Sequence, residues 1–203
     1  MRFAVPLLVA AILGLAAGVG SALLMAGQLP VGSHIGDSVN IDNWRSDWSI
    51  GSEAADPYVR ARIARHGLLA LRKEEAVYFT RAVDDDGKAL KESCAYRVTG
   101  GAFPAEWWSI TLYDSESRLP MNEDGALSFD ATDAAELGSP EAWSFMVGAD
   151  AGGIDPRRWV SSKGAGKFDL MIRLYLPSDA LLVSPESELT PPSIEQVACG
   201  GKA

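Results

Sequence analysis

A chain of 203 residues has room for one membrane element and one domain with a proper core, which excludes two full globular domains. The formal charge of −9, with no Lys/Arg-rich block, disfavours the basic patches on which nucleic-acid binding relies, so nucleic acid is not an expected partner. The first 25 residues take a disproportionate share of the apolar count and leave a more polar remainder.

From Phe3 to Met25, FAVPLLVAAILGLAAGVGSALLM, no residue is charged. A helix of that length reaches roughly 35 Å, enough for a hydrocarbon core of about 30 Å with some tilt. A cleaved signal peptide is the rival reading, but its apolar stretch is usually about 7 to 15 residues and ends in a small-residue box. The run is longer, and AGQLPVG after it supplies no such box, so an uncleaved anchor over residues 3–25 is expected. Arg2 before the run and Asp37 and Asp42 after it place the N-terminus inside and the domain outside. Ala10, Gly14, Gly18 and Ala22 recur every four residues, a stripe that allows helix–helix self-association, although ordinary Gly and Ala richness of membrane helices accounts for it equally.

Residues 27–43, GQLPVGSHIGDSVNIDN, mix Gly, Pro, Ser and Asn without periodicity and read as a linker. Trp44 and Trp48 suit either an interfacial belt or packing on the domain, and their distance from the helix end favours packing. In ADPYVRARIARHGLLAL, Asp56 caps and Pro57 opens a helix of about three turns, with Gly67 as its stop. Tyr58, Ile63 and the segment from Leu68 to Leu71 form its apolar side, and Arg60, Arg62 and Arg65 lie opposite.

The period then changes to two. EAVYFTRAV, the stretch from Cys94 to Thr99, WWSITLY, AWSFMV and KFDLMIRLYLP alternate or run apolar over strand lengths, between turns rich in Gly, Asp, Ser and Pro. Asp86-Gly87 marks a hairpin between the first two, and a short helical turn is expected around Thr132 to Leu137. The expected class is mainly β: an antiparallel, jelly-roll-like β-sandwich with one preceding helix, tethered by an N-terminal transmembrane helix. The expected units are an anchor over 1–26, a linker over 27–55, a β domain over 56–199 and a tail over 200–203. In an exported domain, Cys94 and Cys199 read as a disulfide, which on the chain-entropy model adds about 4 to 5 kcal/mol. Two buried or free thiols are the alternative.

The ordered series DPYVRARIARHGLLAL, the turn with DDDG, WWSITLYD, FDLMIRLYLP and PPSIEQVAC resembles the domain of unknown function 1214 family, and more narrowly its short, membrane-anchored bacterial members. The resemblance spans about residues 55 to 199. It implies a β-rich, jelly-roll-like domain that in larger relatives follows a second domain of unknown function, here replaced by anchor and linker. It brings no established catalytic residues. The family's usual Asn-Trp-Leu-Pro-like segment stands here as Arg158-Trp159-Val160-Ser161, which puts any role of that loop in doubt. With the anchor, it implies a single-pass protein of the bacterial inner (cytoplasmic) membrane, its domain in the periplasm of the cell envelope.

Catalytic signatures are missing: no GxSxG elbow, HExxH, phosphate loop or GxGxxG occurs. His34 falls in the linker and His66 on the arginine-rich helix, so neither makes a triad, and no metal set or cofactor is expected. Asp84-Asp85-Asp86-Gly87 fails as a calcium loop, because Ala82 and Ser93 would occupy its end ligand positions; a hairpin tip is the plainer reading. Alternation puts Trp108, Ile110 and Leu112 on one face and Trp107, Ser109, Thr111 and Tyr113 on the other. Likewise Phe168, Leu170, Ile172 and Leu174 oppose Asp169, Met171, Arg173 and Tyr175.

If the second faces adjoin, Trp107, Tyr113, Arg173 and Tyr175, with Asp114 at the strand end, form a ligand-binding groove of flat rings and a fixed cation. The plainer alternative has the rings filling space and Arg173 paired to an acid such as Asp114. The expected function is therefore an uncharacterised, membrane-anchored envelope protein whose β domain binds a ligand or protein without catalysis. The alternative is a hydrolase of envelope lipid or glycan working through carboxylates such as Asp114 and Asp169, which glycosidic chemistry requires to be about 5 to 10 Å apart. A structural subunit paired through its anchor is the third reading.

Overall fold

Alternating side chains build two sheets. In the computed structural model, which describes residues 4–25, 38–52, 57–65 and 71–200, helix α1 (Ala4–Met25) comes first. It is followed by β1 (Ser38–Ile41), β2 (Trp44–Asp47), α2 (Pro57–Arg65), β3 (Ala76–Arg81), β4 (Cys94–Gly101) and β5 (Ala105–Asp114). Then come β6 (Ser128–Asp130), α3 (Ala131–Glu136), β7 (Ala142–Gly148), a helical turn at Pro156–Arg158, and β8 (Trp159–Ser161). The chain closes with β9 (Phe168–Pro177), α4 (Asp179–Val183), α5 (Pro185–Glu188) and β10 (Ser193–Cys199). One sheet has the order β1-β2-β3-β9-β5-β6 and the other β10-β4-β7-β8. The mainly β class is as expected.

Helix α1 is the one described helix long and apolar enough to cross a membrane, and none of it is buried against the rest of the chain. Gly14 and Gly18 face open space.

The core lies between the sheets and is aromatic at its centre. Trp108 on β5 and Trp143 on β7 have ring centroids 4.8 Å apart, and Phe129 on β6 stacks on Phe145 of β7 at 4.6 Å. Gly100 permits this: a Cβ there would lie 2.4 Å from the Trp143 ring, so only glycine lets the indole rest on β4. The Trp143 indole N–H donates to the Gly101 carbonyl at 2.7 Å, which satisfies the polar edge of a buried ring.

Some features differ from the sequence expectations. Residues 38–47, read as linker, are built into the larger sheet: Asp42 and Asn43 adopt positive φ in a two-residue turn, and buried Trp44 donates to the Pro192 carbonyl. Trp48 packs on Phe79, so both tryptophans belong to the domain, as their distance from α1 favoured. Asp86-Gly87 closes a tight turn with a bridge between Val83 and Ala89, but β3 and β4 do not pair: β3 lies between β2 and β9, and the chain crosses to the other sheet, where β4 lies between β10 and β7. The β7–β8 pair is parallel, because the ten residues between them carry the chain back over the sheet end.

Cys94 and Cys199 form a disulfide, and the C-terminal segment it ties down is itself a strand, β10, with the two cysteines directly opposite in register. The turn expected near Thr132 is α3, capped by Asp130 and Asp133 in a reciprocal box. Among the described side chains of α2, Val59 is buried, while Tyr58 and Ile63 are half-buried. His34, Asp56, His66, Gly67 and Leu68, with the side chains of Arg62 and Arg65, lie outside the described residues.

Candidate binding face

Strand register decides whether the two mixed faces adjoin, and it joins them. β5 and β9 pair with Trp107 opposite Tyr175, Ser109 opposite Arg173, Thr111 opposite Met171 and Tyr113 opposite Asp169. Trp108, Ile110, Leu112, Phe168, Leu170, Ile172 and Leu174 are buried on the inner side, as alternation required. On the other flank of β9, β3 sets Tyr78 opposite Arg173.

The aromatic end of this outward face is a tilted ring pair. Trp107 and Tyr175 have centroids 5.4 Å apart at 57°, and the Trp107 indole N–H donates to Thr132 Oγ1 at 3.3 Å. Trp107 remains 38% exposed. One row along, the Arg173 guanidinium donates to Thr111 Oγ1 at 3.4 Å and to the Tyr113 hydroxyl, with Cζ 5.3 Å from the Tyr113 ring centroid. Its partners are neutral oxygens and a ring face; among the described residues no carboxylate pairs with it. Ser109 and Thr111 are only 6% and 7% exposed, covered by the larger side chains around them.

The pairing of Arg173 with Asp114 raised by the sequence does not form. Asp114 ends β5 and caps the next turn: its Oδ1 accepts the N–H groups of Glu116 (2.8 Å) and Arg118 (2.9 Å), and Oδ2 lies 3.6 Å from Arg118 Nε. The Arg118 backbone N–H, then that of Glu116 and the nearby guanidinium, hold its carboxyl below the usual range. Asp169 stands in the opposite condition. Its Oδ1 is buried without a hydrogen-bond partner, and burial, with a smaller push from the Asp114 charge, raises it to about 7.

Tyr78 is the residue the sequence reading passed over. Burial raises its hydroxyl pKa, against a hydrogen bond to the Leu71 backbone, and Tyr175 and Arg173 are close enough to act on it. Its signal was parity with Thr80 in AVYFTR, but nothing local shows that this strand lies beside β9.

The acidic run works as turn chemistry. Asp84 Oδ1 accepts from the Asp86 and Lys88 N–H groups, Asp85 receives Arg81 and the Ile194 N–H, and Asp86 pairs with Lys88. No group of three His, Cys, Asp or Glu side chains among the described residues is arranged to hold a metal ion.

The family model described as "Protein of unknown function (DUF1214)" matches residues 75–179, just over half of the chain. The chain belongs to the DUF1214 family. The match runs from the start of β3 to the beginning of α4, so it includes both strands of the candidate face. This DUF1214 chain is similar in fold to the VPA0106 protein from Vibrio parahaemolyticus, with TM-score 0.58 and 20% identity over 91% of this chain and 44% of that one. The chain thus spans less than half the length of that protein. An uncharacterized protein from Burkholderia cenocepacia matches at 17% identity over 64% of this chain and 31% of that one, with a TM-score of 0.37, too low to bear on the fold. No curated protein matches the chain.

Proposed function

We propose that this DUF1214 chain is a membrane-tethered, non-catalytic binding protein of the bacterial envelope, its β domain in the periplasm, with the outward face of β5 and β9 as its ligand surface. The carrying observation is Arg173: a half-buried guanidinium with neutral oxygens as acceptors, set between the Tyr113 ring and the Trp107–Tyr175 pair. A fixed cation beside flat rings offers directional anion contacts together with apolar area. Asp114 is a neighbour of this face through its charge on Asp169, rather than a contact residue.

The hydrolase alternative draws on one observation, the opposed shifts of Asp114 and Asp169, a pattern used by acid–base pairs. Against it, both Asp114 oxygens are engaged by the turn, so the carboxylate that stays ionised is not free to act as a base.

The test is affinity capture of the full chain from mild detergent, with bound lipids, glycans and proteins identified by mass spectrometry. A species retained by the wild type and lost from Arg173→Gln and Trp107→Ala supports the reading; identical contents in all three overturn it. A C-terminal reporter active only outside the cytoplasm checks the topology, and activity inside reverses it.

A further inference from the structure

Resting on the binding reading above, we infer that the outward face takes a single-chain amphiphile with an anionic head, carboxylate or phosphate: the head on Arg173, the first part of the chain on Trp107 and Tyr175 toward Leu176. The face is graded along the strands. Tyr175 lies two residues from Arg173 on β9, about 7 Å along a strand, and Trp107 faces it across the pair. Beyond them the chain departs from alternation: Leu176 adopts φ 49°, a left-handed conformation that carries a real cost in a side chain of this size, and is 52% exposed where parity would bury it. Its N–H donates to the Glu75 carbonyl at 2.9 Å, which holds the kink against β3. Leu71, whose backbone bonds the Tyr78 hydroxyl, is also exposed. Leu176 therefore adds exposed apolar surface immediately after Tyr175, on the side of the strand away from Arg173.

Charge selects the head. The planar fork of Arg matches carboxylate and phosphate oxygens, and here its acceptors, Thr111 Oγ1 and the Tyr113 hydroxyl, are neutral. The overall charge of −9 disfavours an extended anionic surface and leaves a single anionic group seated among rings as the fitting partner. A sugar fits less well, because the polar side chains that would read its hydroxyls are taken: Asp130 caps α3, Asp114 caps its turn, and Ser109 and Thr111 are covered. Position supplies the source. The twelve residues 26–37 between α1 and β1 span at most about 40 Å, so an anchored α1 keeps this sheet within reach of a bilayer.

The experiment uses the full chain in phosphatidylcholine nanodiscs and a photoactivatable fatty acid carrying a diazirine on its chain. Crosslinks are expected on peptides covering 105–114 and 168–177, competed by decanoate and decyl phosphate and about tenfold more weakly by decanol or butyrate, since one charge-assisted contact is worth about a factor of ten. The stronger of the two anionic competitors names the head group. Arg173→Gln should lose labelling about tenfold and Arg173→Lys recover part of it. If Arg173→Gln fails to fold by near-ultraviolet circular dichroism, Trp107→Ala decides by the same loss. Equal competition by decanol, labelling unchanged in a folded variant, or labelling confined to other segments overturns the inference. If a captured sugar or protein depends on Arg173 while decanoate and decyl phosphate do not compete, the amphiphile falls and the binding reading stands. If neither capture nor labelling depends on Arg173 or Trp107, both fall.

Discussion

The two faces of β5 and β9 come from the same residues of chain and obey different physics. Inward, Trp108, Ile110, Leu112, Leu170, Ile172 and Leu174 belong to the core, where Trp108 meets Trp143 of β7, and are shut away from water. Outward, at the alternate positions, stand a guanidinium bonded to neutral oxygens, a carboxyl with one buried oxygen unpartnered, two tyrosines and an exposed indole. The inner face is what an apolar core requires of any such sheet. The outer face carries polar groups that folding alone gives no reason to leave half-satisfied, and this difference makes it the functional candidate.

The comparison breaks first if the inner face proves dispensable. Ile172→Ala removes a fully buried side chain at the centre of the larger sheet and should cost about 3 kcal/mol, whereas Met171→Ala, its neighbour on the outer face, should cost less than about 1 kcal/mol. Urea unfolding of the detergent-solubilised full chain, followed by near-ultraviolet circular dichroism, reads both. Equal losses would mean that the outer face is packed like the inner one.

Next in size is the buried carboxyl. With Asp169 raised to about 7 against an ordinary value of 3.8, the folded state binds its proton more tightly than the unfolded state. The stabilisation from that proton is fully present below about pH 4 and is lost as pH rises through 7. The shift corresponds to about 4 kcal/mol as an upper bound, and partial exposure discounts it to about 1 to 2 kcal/mol. Asp169→Asn should therefore raise stability by that amount at pH 8 and leave it unchanged at pH 4. A flat difference across this window would show that the carboxyl is solvated like any surface acid.

Asp114 sharpens the contrast with a smaller effect of opposite sign. Its lowered pKa gives stability above the ordinary carboxylate range that is lost as pH falls through the folded value. Asp114→Ala should cost about 1 kcal/mol at pH 7 by releasing the Glu116 and Arg118 N–H groups, and the cost should shrink in acid. A loss of ligand capture with no change in the unfolding midpoint would instead return Asp114 to the binding face.

The parts of this fold that were legible in the sequence are those where period alone decides. Five of the six longer strands, β3, β4, β5, β7 and β9, and the inward set of β5 and β9 follow from alternation, and the helical turn expected around Thr132 to Leu137 is α3. β6 and β8 are three residues each, too short to show a period. The β1–β2 hairpin was masked by linker-like composition, although Asp42-Asn43 ahead of Trp44 is the chemistry of a tight turn. Partner choice was the deeper obstacle. β3 pairs with β9, some ninety residues later, so Tyr78 could not be set beside Arg173 from local pattern. The outcome for Arg173 and Asp114 turned on the backbone of residues 114–118, which draws the carboxylate into its own turn.

The smallest stability effect carries the most information about function. Trp107 is 38% exposed, meets Tyr175 as a tilted ring pair and makes one 3.3 Å hydrogen bond to Thr132. Trp107→Ala should therefore cost less than about 1 kcal/mol, close to the value of a partly exposed aromatic pair, and α3 should persist because its own capping box holds it. Trp108→Ala, one residue on, should cost about 3 to 5 kcal/mol, since that ring touches Phe103, Phe129 and Trp143. Adjacent tryptophans thus separate the two faces in one pair of variants: a folded protein with weakened ligand retention at 107, a destabilised one at 108. If Trp107→Ala unfolded the domain to the same degree, the indole would be a structural lid over Ser109 and Thr111, and the case for a ligand at that end of the face would go with it.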